Sequence, residues 1–199
     1  MKKKNDLIGL KNATLRGIVP ALLLGAAAGA SAQETAAAAS ADHTFGAQIA
    51  VGVAQHKVKK VELGFVWDPG LNFWHIGGWH FSLLGEAHLG YWHTNEGAFH
   101  NDVYEVGLTP MVRFIKDSGG IRPYLEAGAG IRVLSHPTIT DSYTLSTAFQ
   151  FSETAGVGAQ FGSRQQYAAG VRFQHVSNGG IKEPNPGINF TQLYLQYNF

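Results

Sequence analysis

The stretch Trp79-His80-Phe81-Ser82-Leu83-Leu84-Gly85-Glu86-Ala87-His88-Leu89-Gly90-Tyr91-Trp92 decides the fold. Apolar Trp79, Phe81, Leu83, Ala87, Leu89 and Tyr91 alternate with His80, Ser82, Glu86 and His88. Successive side chains of a strand point to opposite faces, so this alternation describes a long strand with one apolar and one polar face. The same period recurs on both sides of it. The apolar register is Phe45, Ala47, Ile49, Val51, Val53 in 43–54 and Val61, Leu63, Phe65, Trp67 in 60–68. It is Tyr104, Val106, Leu108, Val112, Phe114 in 102–115 and Leu125, Ala127, Ala129, Ile131, Val133 in 123–134. Segments 148–162, 167–177 and 189–199 continue it with Phe149, Phe151, Val157, then Val171, Phe173, then Leu193, Leu195, Tyr197 and the terminal Phe199.

These eight segments would make the chain well over half strand, an unusual share for a soluble domain. An even number of alternating antiparallel strands is what a small transmembrane β-barrel requires, apolar outward and polar inward. The fold expected is therefore all-β, an eight-stranded antiparallel transmembrane barrel of the outer membrane. A soluble eight-stranded barrel or sandwich would show the same alternation with the apolar register turned inward. Aromatics near strand ends (Trp67, Trp79, Tyr91, Trp92, Tyr104, Tyr167, Tyr197) are expected to form interfacial girdles and favour the membrane form.

The amino-terminal residues support export. Lys2-Lys3-Lys4, Lys11 and Arg16 precede an apolar run from Ile18 to Ala30 and a small-residue site at Ala30-Ser31-Ala32. Residues 1–32 read as a secretory signal peptide, 33–42 as a short flexible leader and 43–199 as the barrel domain. The signal holds five of the fifteen Lys+Arg and one of the fourteen Asp+Glu. The remainder has ten basic and thirteen acidic residues, a net of about −3, which points to no nucleic-acid partner. There is no cysteine, hence neither a disulfide framework nor a thiol catalyst.

The chemistry concentrates in His175-Val176-Ser177-Asn178-Gly179-Gly180-Ile181-Lys182-Glu183-Pro184-Asn185-Pro186-Gly187-Ile188-Asn189. His175 and Ser177 are two apart on a strand and share a face, the apolar one. A serine hydroxyl needs a base to take its proton, and histidine is the usual one. A third polar group must hold the other ring nitrogen. Asn178 and the Gly179-Gly180 pair can supply an oxyanion hole. With both ends of the barrel domain periplasmic, His175 and Ser177 fall at the outer end of strand seven and Asn189 opens strand eight beside them. All three lie in the lipid-facing register, toward the outer leaflet.

The bland reading is a His and a Ser at a loop edge of a non-catalytic outer-membrane barrel with a structural or partner-binding role. The other histidines (His43, His56, His75, His80, His88, His93, His100, His136) show no metal-site spacing. Glu86, Glu105, Arg113, Glu126 and Arg132 fall in the inward register and read as an interior charge network. Glu153 interrupts the apolar register and is expected at the outer interface.

The pattern His175-Val-Ser177-Asn178-x-Gly180-Ile181-Lys182-x-Pro184-Asn185-x-Gly187 resembles the signature of the lipid A 3-O-deacylase family. Residues 120–131 and 155–158 also look familial. The resemblance is close from about Gly120 onward and looser before it. It implies an eight-stranded outer-membrane esterase that removes the ester-linked 3-hydroxyacyl chain at position 3 of lipid A. Lipid A or lipopolysaccharide of the outer leaflet would be its substrate. By position Ser177 matches the nucleophile, His175 the base, and Asn178 with the backbone of Gly180 the oxyanion stabilisers. No cofactor and no metal are implied. One departure stands out: the family pattern carries Glu fourteen residues after the base, and here that position is Asn189. Asn189 is the expected third member through its amide oxygen, with Glu183 in the loop as the alternative.

Overall fold

The structure, a computed structural model, describes residues 44–199. The expected signal peptide and leader lie outside the described residues. The strands are β1 (Phe45–Ala54), β2 (Lys59–Trp67), β3 (Asn72–Ile76), β4 (Trp79–His93), β5 (Val103–Lys116), β6 (Ile121–Leu134), β7 (Thr138–Thr140), β8 (Tyr143–Thr144), β9 (Phe149–Phe161), β10 (Tyr167–Ser177) and β11 (Ile188–Asn198). Eight of them close a ring of antiparallel pairs in the order β1, β2, β4, β5, β6, β9, β10, β11 and back to β1. Closure removes every sheet edge, which a strand protein in lipid cannot leave open.

The eight expected segments are the eight barrel strands. The short β3 was not expected. It runs along the lower part of β4 beyond the end of β2, after the break at Asp68-Pro69-Gly70, and its register shifts at the left-handed Trp74. The β7–β8 hairpin, within the loop over the barrel's far end, was also not expected.

Inside and outside are assigned by the side chains. Ile49, Leu63, Leu108, Leu193 and Leu195 stand 49–62 % exposed around the circumference, whereas Gln48, Glu62, Thr109, Gln192 and Gln196 are buried within. This is the reverse of a soluble barrel and matches the membrane register. Aromatics mark both rims: Tyr167 against Tyr197 and Trp79 against Phe114 at the end where β11 finishes, Tyr91 against Tyr104 at the other. Trp92 departs from the girdle expectation. It is 1 % exposed and packs inward on Phe190, because the last residues of β4 turn their even side chains into an apolar plug.

The interior carries the expected charge network. Arg172 donates to Glu86 (2.7 Å) and Glu126 (2.6 Å), and Arg113 donates to Glu126 (2.9 Å). Nearer the far end, Lys60 bonds Glu62 (2.6 Å) and Glu105, and Arg132 reaches both carboxylates. Four buried bases thus face four buried acids, so the interior is neutral although it is densely charged. An eight-stranded barrel has room only for such side chains, not for a pore. Above the network, Val58, Trp92, Val103, Leu134, Ile139, Leu145, Val176, Ile188 and Phe190 form the plug. It backs the strand ends that hold His175 and Ser177.

Candidate active site

β10 and β11 lie antiparallel with His175 directly opposite Asn189 and Val176 opposite Ile188. Val176 and Ile188 are fully buried in the plug, so their neighbours His175, Ser177 and Asn189 are forced outward, half-buried at the rim. The alternation that makes the belt apolar here delivers three polar groups to the lipid-facing side.

His175 Nδ1 lies 2.6 Å from Asn189 Oδ1. An amide oxygen only accepts, so Nδ1 carries the hydrogen and donates it. In the neutral ring that leaves Nε2 unprotonated and able to take a proton. Asn189 is itself held, since its backbone N–H donates to Gln55 Oε1 in the β1–β2 turn (2.9 Å). Ser177 sits two residues beyond His175 on the same face, about 6.5–7 Å along the strand.

The loop after Ser177 is folded on Asn178, which is fully buried. The Asn178 side-chain amide donates to Leu145 O (3.0 Å) and Lys182 O (2.7 Å), and its oxygen accepts from Gly180 N–H (2.9 Å). The backbone N–H of Asn178 donates to Asn185 Oδ1 (3.0 Å). Both expected oxyanion donors therefore lie in the loop that starts at Ser177, and both are engaged within it. Glu183 accepts from the Asn185 backbone N–H (3.0 Å), and among the described residues it makes no hydrogen bond or ion pair to His175. Of the two expected third members, Asn189 is the one beside the ring.

Gly187 closes the site. Its φ is +64°, which glycine adopts without strain. A Cβ there would stand 2.5 Å from His175 Cε1 and 3.0 Å from Nε2, so the imidazole rests against the bare Cα. The Gly187 carbonyl accepts from the Tyr143 hydroxyl in β8. Burial pushes the Tyr143 phenol up to about 12, so it stays a donor throughout the neutral range. The His56 ring packs on Tyr143 with centroids 4.0 Å apart, and His56 bonds Glu96 at 3.0 Å. Sequence reasoning missed Tyr143 and Gln55, because Tyr143 sits in the two-residue β8 and Gln55 in the β1–β2 turn, neither with a period, and both act on the site from outside β10 and β11. The only signal for Tyr143 was an aromatic in the longest inter-strand loop.

At the opposite end His75, His80 and Asp117 converge. His80 Nδ1 is 2.6 Å and His75 Nδ1 3.7 Å from Asp117 Oδ1. Ligand atoms around a tetrahedral zinc stand about 3.4 Å apart, so the shorter distance is that of a hydrogen-bonded pair.

A closed, lipid-facing eight-stranded barrel with a histidine–asparagine pair and a serine on its outer rim defines a class: membrane barrels with a polar site open to the surrounding lipid. The profile of one family, Lipid A 3-O-deacylase (PagL), matches residues 59–198. Lipid A deacylase PagL of Bordetella bronchiseptica is 34 % identical over 191 residues, 95 % of this chain and 97 % of the relative. Lipid A deacylase PagL of Pseudomonas aeruginosa is 29 % identical over 166 residues, covering 80 % and 92 %. A crystal structure of the outer membrane enzyme PagL superposes with a TM-score of 0.69 at 27 % identity, over 77 % of this chain and 99 % of that one. The chain belongs to the lipid A 3-O-deacylase (PagL) family.

Proposed function

We propose that this protein is an outer-membrane serine esterase that hydrolyses the ester-linked 3-hydroxyacyl chain at position 3 of lipid A. The observation that carries the reading is the His175–Asn189 pair with Ser177 two residues on, facing outward on a mainly apolar belt. A lipid substrate reaches such a site sideways, without leaving its leaflet. Residues 1–32 would direct export and be removed on the way.

Ser177 Oγ attacks the ester carbonyl while His175 Nε2 takes its proton, and Asn189 Oδ1 holds Nδ1–H so that the correct nitrogen faces the hydroxyl. The carbonyl oxygen becomes an oxyanion at the start of the 178–187 loop. The Asn178 and Gly180 N–H groups accommodate it by exchanging their bonds to the Asn185 and Asn178 side-chain oxygens for bonds to substrate. Collapse breaks the C–O bond, and His175 returns the proton to the lipid A 3-oxygen as the hydroxyl leaves. Water, deprotonated by His175, then hydrolyses the acyl-serine, freeing a 3-hydroxy fatty acid and restoring Ser177.

Purified protein in mixed micelles with lipid A in H₂¹⁸O tests this reading. The expected products are lipid A lacking one 3-hydroxyacyl group and a free acid bearing one ¹⁸O from the water. Unchanged lipid A with folded barrel would mean a non-catalytic barrel. Asn189→Ala is expected to lower kcat by about ten- to a hundred-fold with KM little changed, because the ring loses its tautomer and orientation but not its place. Gly187→Ala is expected to lower kcat by about a hundred-fold, since the new methyl displaces the imidazole and an ångström is costly in such geometry. The thermal midpoint of the barrel should fall far less than activity. Tyr143→Phe should cost about 1 kcal/mol of stability, the net worth of one hydrogen bond, measured by denaturant unfolding in detergent.

A further inference from the structure

Glu153 stands on the lipid-facing surface of β9, in the row of Phe149, Phe151, Ala155 and Val157. It is exposed, and among the described residues it makes no hydrogen bond and no ion pair. A carboxylate on the lipid face of a barrel is unfavourable, and an unpartnered one has nothing to offset the cost. Away from His175, Ser177, Asn189 and Thr191 and from the strand ends, the lipid-facing positions of this barrel are apolar or glycine, so Glu153 requires an explanation that packing does not provide.

The register provides one. Glu153 is the direct cross-strand partner of His175. On its other side it faces Ala129, whose small side chain leaves room for the carboxylate to lean either way. Directly opposed residues hold their Cβ atoms about 4.5–5.5 Å apart, within reach of a glutamate and an imidazole. His175 is therefore flanked in the sheet by Asn189 on β11 and by Glu153 on β9. Asn189 orients the ring through Nδ1 but is neutral. When Ser177 gives up its proton, His175 becomes an imidazolium at the edge of a low-dielectric belt. There a nearby negative charge is worth more than in water.

We propose that Glu153 is a positioning residue that supplies to His175 the negative charge that Asn189 lacks. Orientation and charge balance, carried by one carboxylate in the family pattern, are divided here between two residues on opposite sides of the ring. The inference rests on the Ser177–His175 reading above. It also explains why a residue that costs stability is kept in this row.

The test is a kinetic cycle on detergent-solubilised full-length protein with lipid A in mixed micelles, using Glu153→Gln, Asn189→Glu, the double variant and Ser177→Ala. Glu153→Gln is expected to lower kcat about tenfold or more with KM little changed. In the Asn189→Glu background the same substitution should change kcat by less than about twofold, because the charge is then supplied from β11. Glu153→Leu should raise the thermal midpoint while lowering kcat, the opposite of a structural role. An equal loss in both backgrounds, a rise in KM alone, or no loss at all would overturn the proposal. An equal loss or a KM effect would assign Glu153 to direct contact with the lipid. If Ser177→Ala retains full activity, the parent reading fails. If it is inactive while Glu153→Gln behaves additively, only this inference fails.

Discussion

Arg172→Leu is expected to destabilise the barrel by about 3–5 kcal/mol, the usual consequence of removing one member of a buried ion pair. Arg172 is 3 % exposed at the centre of the interior network. Its guanidinium donates twice to Glu86 (2.8 and 2.7 Å), to Glu126 (2.6 and 3.2 Å) and to Gln48 (3.1 Å), and lies over the Tyr194 ring at 4.2 Å. Glu126 would keep Arg113 and the Tyr194 hydroxyl (2.8 Å). Glu86 would keep only His88, whose Nε2 is 3.7 Å away. Most of the loss is therefore the cost of a stranded Glu86 carboxylate. It follows that Arg172→Leu with Glu86→Leu should recover part of the loss, since removing both charges leaves neither unpaired. Loss of β-sheet circular dichroism on heating in detergent measures both. A double variant no better than the single one would show that the network's packing matters more than its charge balance.

The barrel was legible in the sequence because two different media impose one period. Lipid outside and a packed polar interior force alternation on each strand, whatever its neighbours, so segments such as 79–92 and 123–134 declare themselves. What interrupts the alternation was lost. β3 is hidden by Asp68-Pro69-Gly70 and by the left-handed Trp74, and β7–β8 are too short to show a period. Trp92 was read as a girdle residue because an aromatic at a strand end looks the same whether it turns to lipid or into the plug.

The site divides in the same way. The shared face of His175 and Ser177 follows from strand geometry, but their partners depend on the register between strands. Asn189 falls opposite His175 only once the 178–187 loop has its particular length. Glu153 was visible as an offence against the apolar register, yet its meaning waits on the turn at 162–166, which sets Phe161 opposite Tyr167 and so Glu153 opposite His175. Tyr143 and Gln55 reach the site from other parts of the ring. No reading of local pattern brings them there.

Ser177→Ala is expected to cut lipid A deacylation by about a thousand-fold or more while leaving the barrel intact, because in the proposed mechanism the acyl chain passes through the Ser177 hydroxyl. The side chain is half-buried at the rim, and its backbone stays fixed by Val176 in the plug and by the β9 pairing with Phe151, so the change removes chemistry rather than structure. The most direct measurement is mass spectrometry of lipid A from cells producing the protein, beside cells producing equal amounts of membrane-inserted Ser177→Ala. The account predicts loss of one 3-hydroxyacyl group with the unaltered protein and none with the variant. Equal loss with both would contradict the role of Ser177 and move the nucleophile elsewhere on the rim.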